Sequence, residues 1–295
     1  MILDGYRDRI RARRQAASRA RARRRPEIAF VLSGGGVLGA VQAGQIQALF
    51  DAGIRPDVVI GSSVGALNAA FVACRPHAES IADLLGTWRS LRTEDIFPGS
   101  RFSRAWNIVA RGDHIYPNEG IRRLVDRLPV RTFEECVIPL HICATNLSTG
   151  AEHWFDEGPL MRAILASTAL PAIFPPISID GDLYVDGGVA NNAPISRAVE
   201  LDARKVYVLT CGTGTHEPQP VRRPLDVLVQ AFAHARHVRL DLDLERFAGK
   251  TEIVMLPGTN VNGIRYNDLS QTDRLIKVAR ESTEQFLADA RAAHA

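Results

Sequence analysis

Between residues 27 and 74 the apolar positions change period three times. "EIAFVLSGGG" (27–36) is a continuous β-branched and aromatic run ending in three glycines, which predicts a buried strand entering a tight loop. "VLGAVQAGQIQALFDAG" (37–53) sets apolar residues at three-to-four spacing and ends on Gly53, which predicts a helix with a glycine cap. The alternation then repeats, with "RPDVVIGSS" as a strand and "VGALNAAFVAC" as a helix. Strands joined by crossover helices predict a mostly parallel sheet covered on both faces, a three-layer α/β/α fold. Further strands fit at 137–147 and 203–212, with "AEHWF" (151–155) as a return strand. Residues 177–188 read as a hairpin turning at Asp180-Gly181. Helical spacing returns over 224–247 and 270–290. Residues 92–117 have the weakest periodicity and scattered aromatics (Phe97, Phe102, Trp106 and Tyr116), fitting either a cap over a site or local packing.

Composition narrows this picture only slightly. With 46% hydrophobic and 23% charged residues, the chain is ordinary for a soluble globular protein. Its apolar stretches are interrupted well before about 18 residues, so no spanning helix is expected. No hydrophobic segment of secretory-signal type is read either. The four cysteines, Cys74, Cys136, Cys143 and Cys211, show no C-x-x-C spacing and read as reduced thiols of a cytoplasmic protein.

Charge changes the picture more. Residues 1–25 carry ten Arg against two Asp, a balance of +8, so the net +3 of the whole chain leaves −5 for the remainder. The sequence is therefore divided into a basic arm (1–25), flexible or helical, and one domain (26–295). The favoured reading of the arm is a solvated tail; the sharper alternative is a peripheral contact with anionic membrane or nucleic acid. Nucleic acid is the less expected partner, and nothing in the pattern speaks to oligomeric state.

Three segments carry candidate chemistry. Gly61-Ser62-Ser63-Val64-Gly65 has the form G-x-S-x-G at a strand-to-helix junction. Such a turn exposes the central serine at the end of a rigid strand, with the positive end of a helix behind it. Gly34, Gly35 and Gly36 have no side chains to obstruct their backbone N–H groups, which suits them to a developing oxyanion. The spacing Gly34-x-Gly36-x-x-Gly39 also fits a dinucleotide fingerprint. That reading wants an acidic residue at the end of the second strand, whereas Asp57 opens it. Asp186, beside Gly187 and Gly188 in a sparsely charged stretch, is either a base of raised pKa or a turn cap.

Taken in order, these segments resemble the patatin-like phospholipase family of serine lipid acyl hydrolases. "GGGVLG" (34–39) is similar to the family's oxyanion-hole loop, "GSSVG" (61–65) to its nucleophile motif and "DGG" (186–188) to its D-G-[AG] motif. "ASTALPAIFPP" (166–176) and "CATNLSTG" (143–150) resemble two further family blocks. The resemblance implies a Ser-Asp dyad acting on a lipid ester, with Ser63 as nucleophile and Asp186 as base. Backbone N–H groups of the glycine loop would hold the oxyanion, and Gly39, Gly61, Gly65, Gly187 and Gly188 would support the motifs. It implies no cofactor. At Leu38 the chain departs from the Arg or Lys that the family often carries, which removes one expected source of head-group selection.

Three further features are weighed against this. His216, His234 and His237 all follow Asp186, so chain order also allows a Ser-Asp-His triad. His234 and His237 share a helical face without a third ligand at metal spacing, so no metal site is expected. Asp180, Asp182 and Asp186 fit a hairpin better than a Ca²⁺ loop. A catalytically idle lipid- or protein-binding module is the alternative from outside enzymology.

Overall fold

The computed structural model describes residues 25–98, 114–212, 224–261, 264–265 and 267–293. Strands are β1 (Ile28–Leu32), β2 (Val58–Ser62), β3 (Leu140–Asn146), β4 (Glu152–Phe155), β5 (Ile177–Ile179), β6 (Asp182–Asp186), β7 (Lys205–Leu209) and β8 (Glu252–Met255). Helices are α1 (Gly39–Asp51), α2 (Val64–Cys74), α3 (Ala78–Ser90), α4 (Thr93–Ile96), α5 (Glu119–Val125), α6 (Leu160–Ser167), α7 (Ile195–Glu200), α8 (Pro224–Phe247) and α9 (Thr272–Ala292). Among the described residues no helix is long and apolar enough to cross a membrane.

The sheet runs β5-β6-β3-β2-β1-β7-β8, with β4 also paired to β3. Strands β3, β2, β1, β7 and β8 run parallel to one another along this path. β4 and the β5–β6 hairpin add antiparallel pairs. The hairpin turns where expected, with φ of 52° at Asp180 and 94° at Gly181, the positive pair a tight two-residue turn needs.

Strands buried on both faces alternate between two cores. Phe30 and Leu32 of β1 join Val59, Ile142 and Leu209 in the larger cluster, which also takes Leu49 of α1, Phe71 of α2 and Ile276 of α9. Ala29 and Val31 point the other way, to Ile60, Val206, Ile195 of α7 and Phe247 of α8. A run with apolar residues at every position is what a strand covered by helices on both sides demands.

β3 decides where the site falls. β4 occupies one edge of β3 over Ile142–Thr145. On the opposite edge β2 pairs as far as Ser62↔Cys143, and β6 takes over at Asp186↔Ala144. Two strands that enter from opposite directions therefore meet end to end along one neighbour.

Several elements went unread in the sequence. β8 extends the sheet beyond the expected strands. The 37–53 segment opens with a 3-10 turn, Gly36–Leu38, before the α-helix begins at Gly39. Of the weakly patterned 92–117 stretch, Phe97 packs edge-on to Tyr116 at 5.3 Å and stacks on Phe174 at 5.8 Å. Phe102 and Trp106 lie outside the described residues, as do residues 1–24 of the arm. The four cysteines are free, buried thiols.

Candidate active site

Ser63 sits between β2 and α2 with φ 55° and ψ −130°, a conformation that costs a non-glycine residue about 1–3 kcal/mol. Its surroundings hold it there. The Ser63 N–H donates to Ser167 Oγ at 2.9 Å, and the Ser167 hydroxyl donates in turn to the Cys143 carbonyl at 2.6 Å. Gly65 lets the elbow close, because a Cβ there would collide with the carbonyl oxygens of Leu32 and Ser33. Ser63 keeps 9% of its surface exposed and lines a cavity of about 680 Å³. Ser62 is fully buried, and among the described residues its hydroxyl has no partner.

Asp186 ends β6 and is 1% exposed. Its Oδ2 accepts from the Ser63 hydroxyl at 2.6 Å, and its Oδ1 accepts from the Gly188 N–H at 2.8 Å. The two sequence readings of Asp186, partner of the serine and turn cap, are thus made by different oxygens of one carboxylate. Burial pushes its pKa up to about 6 against the lowering effects of the Ser63 hydroxyl, the Gly188 N–H and the Arg236 charge. At neutral pH the group is ionised, yet a better proton acceptor than an exposed aspartate.

The glycine loop lies against this pair, with one departure from expectation. Gly34 donates its N–H to the Asn192 carbonyl at 3.0 Å, so it is not an available oxyanion donor. Among the described residues the N–H groups of Gly35 and Gly36 donate no backbone hydrogen bond. Gly36 has φ 59°, the left-handed region that glycine enters without strain. Gly39 begins α1, Gly61 lies within β2, and Gly187 and Gly188 form the 3-10 turn after Asp186.

A buried polar chain supports the loop from behind. Trp88 Nε1 donates to Asn68 Oδ1 at 2.9 Å. Asn68 Nδ2 donates to Gln42 Oε1 at 2.9 Å and to the Gly39 carbonyl at 3.0 Å. Gln42 Nε2 donates to the carbonyls of Ser33 at 2.7 Å and Leu209 at 3.0 Å. Such a satisfied network in a dry interior fixes the loop backbone.

Sequence reasoning did not assign roles to Ser167, Asn192, Arg236 or this network. Ser167 stands in the "ASTALPAIFPP" block, and Asn68 interrupts an otherwise apolar helix, which were the available signals. His234 and His237 line the cavity from α8, His237 with Nδ1 2.8 Å from the Ala233 carbonyl. His216 lies outside the described residues. No group of three or more metal-ligating side chains exists among the described residues.

An α/β sheet holding a strained serine against a buried carboxylate, beside a glycine loop, defines the class of this protein. The chain belongs to the patatin-like phospholipase family, whose model matches residues 30–199. An uncharacterized NTE family protein of Mycobacterium tuberculosis is 32% identical over 189 residues, covering 64% of this chain and 50% of its own length. Lysophospholipase NTE1 of Mycosarcoma maydis is 28% identical over 196 residues, 63% of this chain and 10% of its own. The chain therefore spans at most about half the length of these curated relatives. Among solved structures, VipD from Legionella pneumophila covers 90% of this chain and 67% of its own at 15% identity and a TM-score of 0.45.

Proposed function

We propose that the protein hydrolyses acyl esters of lipids through an acyl-enzyme on Ser63, with Asp186 as the base. The observation that carries this reading is the direct 2.6 Å contact between Ser63 Oγ and Asp186 Oδ2 at the wall of a mostly apolar cavity. Family membership and the lysophospholipase name of one relative point to the same substrate class.

In the first half-reaction Ser63 Oγ attacks the ester carbonyl carbon and its proton passes to Asp186. The carbonyl oxygen becomes an anion that the free N–H groups of Gly35 and Gly36 are suited to receive. Collapse breaks the bond to the alcohol, which leaves with the proton from Asp186. Water then attacks the acyl carbon, gives a proton to Asp186, and the fatty acid departs as Ser63 recovers its hydrogen. Leu38, Leu67, Trp88, Phe97, Leu124 and Phe174 supply apolar wall for an acyl chain.

The contact favours a dyad over a triad, because the serine hydroxyl donates directly to the carboxylate. Among the described residues no imidazole stands between nucleophile and base. Labelling with a fluorophosphonate, followed by peptide mapping, tests activity and nucleophile together. Modification at Ser63, lost in Ser63→Ala, is expected; modification elsewhere, or none, overturns the reading.

A further inference from the structure

Arg236 lies on α8, on the face that borders the cavity with Phe232 and Leu240. Its guanidinium is 4.7 Å from the centre of the Phe232 ring, and Nη1 donates one long bond, 3.4 Å, to Asn192 Oδ1. Among the described residues no carboxylate lies within ion-pair distance of it. Arg239, one turn further along, shows the contrast. It donates to Asp243 at 2.8 Å, to Glu152 at 2.9 Å and to the Ala190 carbonyl at 3.1 Å. A guanidinium has five N–H donors, so Arg236 retains most of its capacity.

Its neighbours place that capacity next to the chemistry. Asn192 is held to the glycine loop from both sides of its backbone and side chain, receiving the Gly34 N–H at 3.0 Å and donating Nδ2 to the Gly34 carbonyl at 3.4 Å. A Cβ on Gly34 would meet both Asn192 Oδ1 and the Ser63 side chain. A Cβ on Gly188 would meet Asn192 Oδ1, Asp186 Oδ1 and the Arg236 side chain. Arg236 therefore reaches the same small volume as the serine and carboxylate, while most named wall residues elsewhere in the cavity are apolar.

We propose that Arg236 receives a phosphate oxygen of the lipid substrate beside Ser63 and so selects a phosphoester head group over a neutral one; the proposal rests on the lipid-hydrolase reading above. A planar fork matches two oxygens of a phosphodiester, and partial removal from water strengthens the contact. The phosphodiester of a glycerophospholipid lies only a few bonds from its acyl ester. An acyl chain along the apolar wall and a phosphate on Arg236 can then flank an ester carbonyl at Ser63. A neutral acylglycerol offers Arg236 nothing of equal charge.

The test measures binding separately from turnover, with ether lipids that cannot be hydrolysed. An ether lysophosphatidylcholine and the alkylglycerol of the same chain length are titrated into wild-type, Arg236→Gln and Arg236→Lys proteins at pH 8. The wild type should prefer the phospholipid by about tenfold or more, a preference that Arg236→Gln removes and Arg236→Lys partly restores. Equal wild-type affinities, or a preference that survives in a folded Arg236→Gln protein, would overturn the proposal. Inorganic phosphate binding as tightly as the ether lysophospholipid would do so too, since the site would then serve free phosphate. Absence of ester hydrolysis in the wild type would instead sink the lipid-hydrolase reading and leave these binding results to decide the role of Arg236. Thermal melts of both variants confirm that they fold.

Discussion

Ser62 and Asp186 occupy successive rungs on the same edge of β3, opposite Cys143 and Ala144. Their strands approach from opposite directions, so the residue after Ser62 meets the carboxylate at the join. Ser63 and Asp186 are 123 residues apart in sequence, yet the pairing of their two strands with β3 brings them together.

Replacing the two adjacent serines should give opposite outcomes. Ser63→Ala is expected to lower turnover of a short-chain ester by about 10³-fold or more, since it removes the attacking atom. Ser62→Ala deletes a buried hydroxyl with no partner and should leave turnover and melting temperature close to wild type. Steady-state assays and melts of the two purified variants check this, and full activity in Ser63→Ala would exclude the mechanism.

The raised pKa of Asp186 has two consequences of opposite sign. In the proposed mechanism attack needs the ionised carboxylate, so kcat/KM should rise with pH through about 6 and level off above it. For stability, the folded-state pKa lies above the unfolded value of about 3.9. The folded protein therefore holds a proton between about pH 4 and 6 that the unfolded chain has released. The contribution of Asp186 to stability is present below that window and lost as pH rises through it.

Asp186→Asn tests both at once. Asparagine can accept from the Gly188 N–H and donate to Ser63 Oγ, but cannot take the serine proton. Activity should fall by about 10³-fold or more, while the melting temperature at pH 8 stays at or above wild type. Neither His234→Ala nor His237→Ala should reproduce that loss. A folded histidine variant without activity would restore the triad.

Ser167→Ala should weaken the elbow without touching substrate. It leaves the Ser63 N–H and the Cys143 carbonyl unpaired in a dry interior, a destabilisation of about 2 kcal/mol. Urea unfolding should show a lower midpoint at unchanged slope, with kcat reduced more than KM is raised. An unchanged midpoint would mean that the elbow is held by packing alone.

The basic arm has its own test. Arg25 is tied to Asp202 by bonds of 2.8 Å to the carbonyl and 3.0 Å to the carboxylate, and the described fold starts there. Residues 1–24 hold nine of the arm's ten arginines. Each basic residue close to an anionic membrane contributes about 1 kcal/mol, screened within a Debye length. Deleting residues 1–24 should leave turnover of a soluble ester nearly unchanged and weaken binding to phosphatidylserine vesicles. The gap should narrow as salt rises. Equal vesicle binding by the two chains at low salt would assign the arm to solvent.

What the sequence made legible was local. Gly61 to Gly65 carries its meaning in five consecutive residues, and β1 and β2 announce themselves by unbroken apolar runs. Asp186 could be found but not assigned, because whether it caps a turn or faces a serine depends on where β6 stops along β3. The edge strand β8 is four residues long, too short for its pattern to stand out. Arg236 carried no signal in the sequence, since its place beside Phe232 and Asn192 is set only by how α8 packs. Gly34 shows the same limit from the other direction: a glycine in the right loop lost its free N–H to Asn192, 158 residues later.

Trp88 belongs both to the wall of the cavity and, through its indole N–H, to the chain of hydrogen bonds behind the glycine loop. Its ring is therefore an optical probe already in place. An acyl chain that displaces water from the cavity alters the polarity around that indole and with it the wavelength of its emission. Trp154, near Arg197, contributes a background from another part of the fold. Occupancy of this cavity can thus be followed by intrinsic fluorescence in unlabelled protein, with Trp88→Phe as the blank.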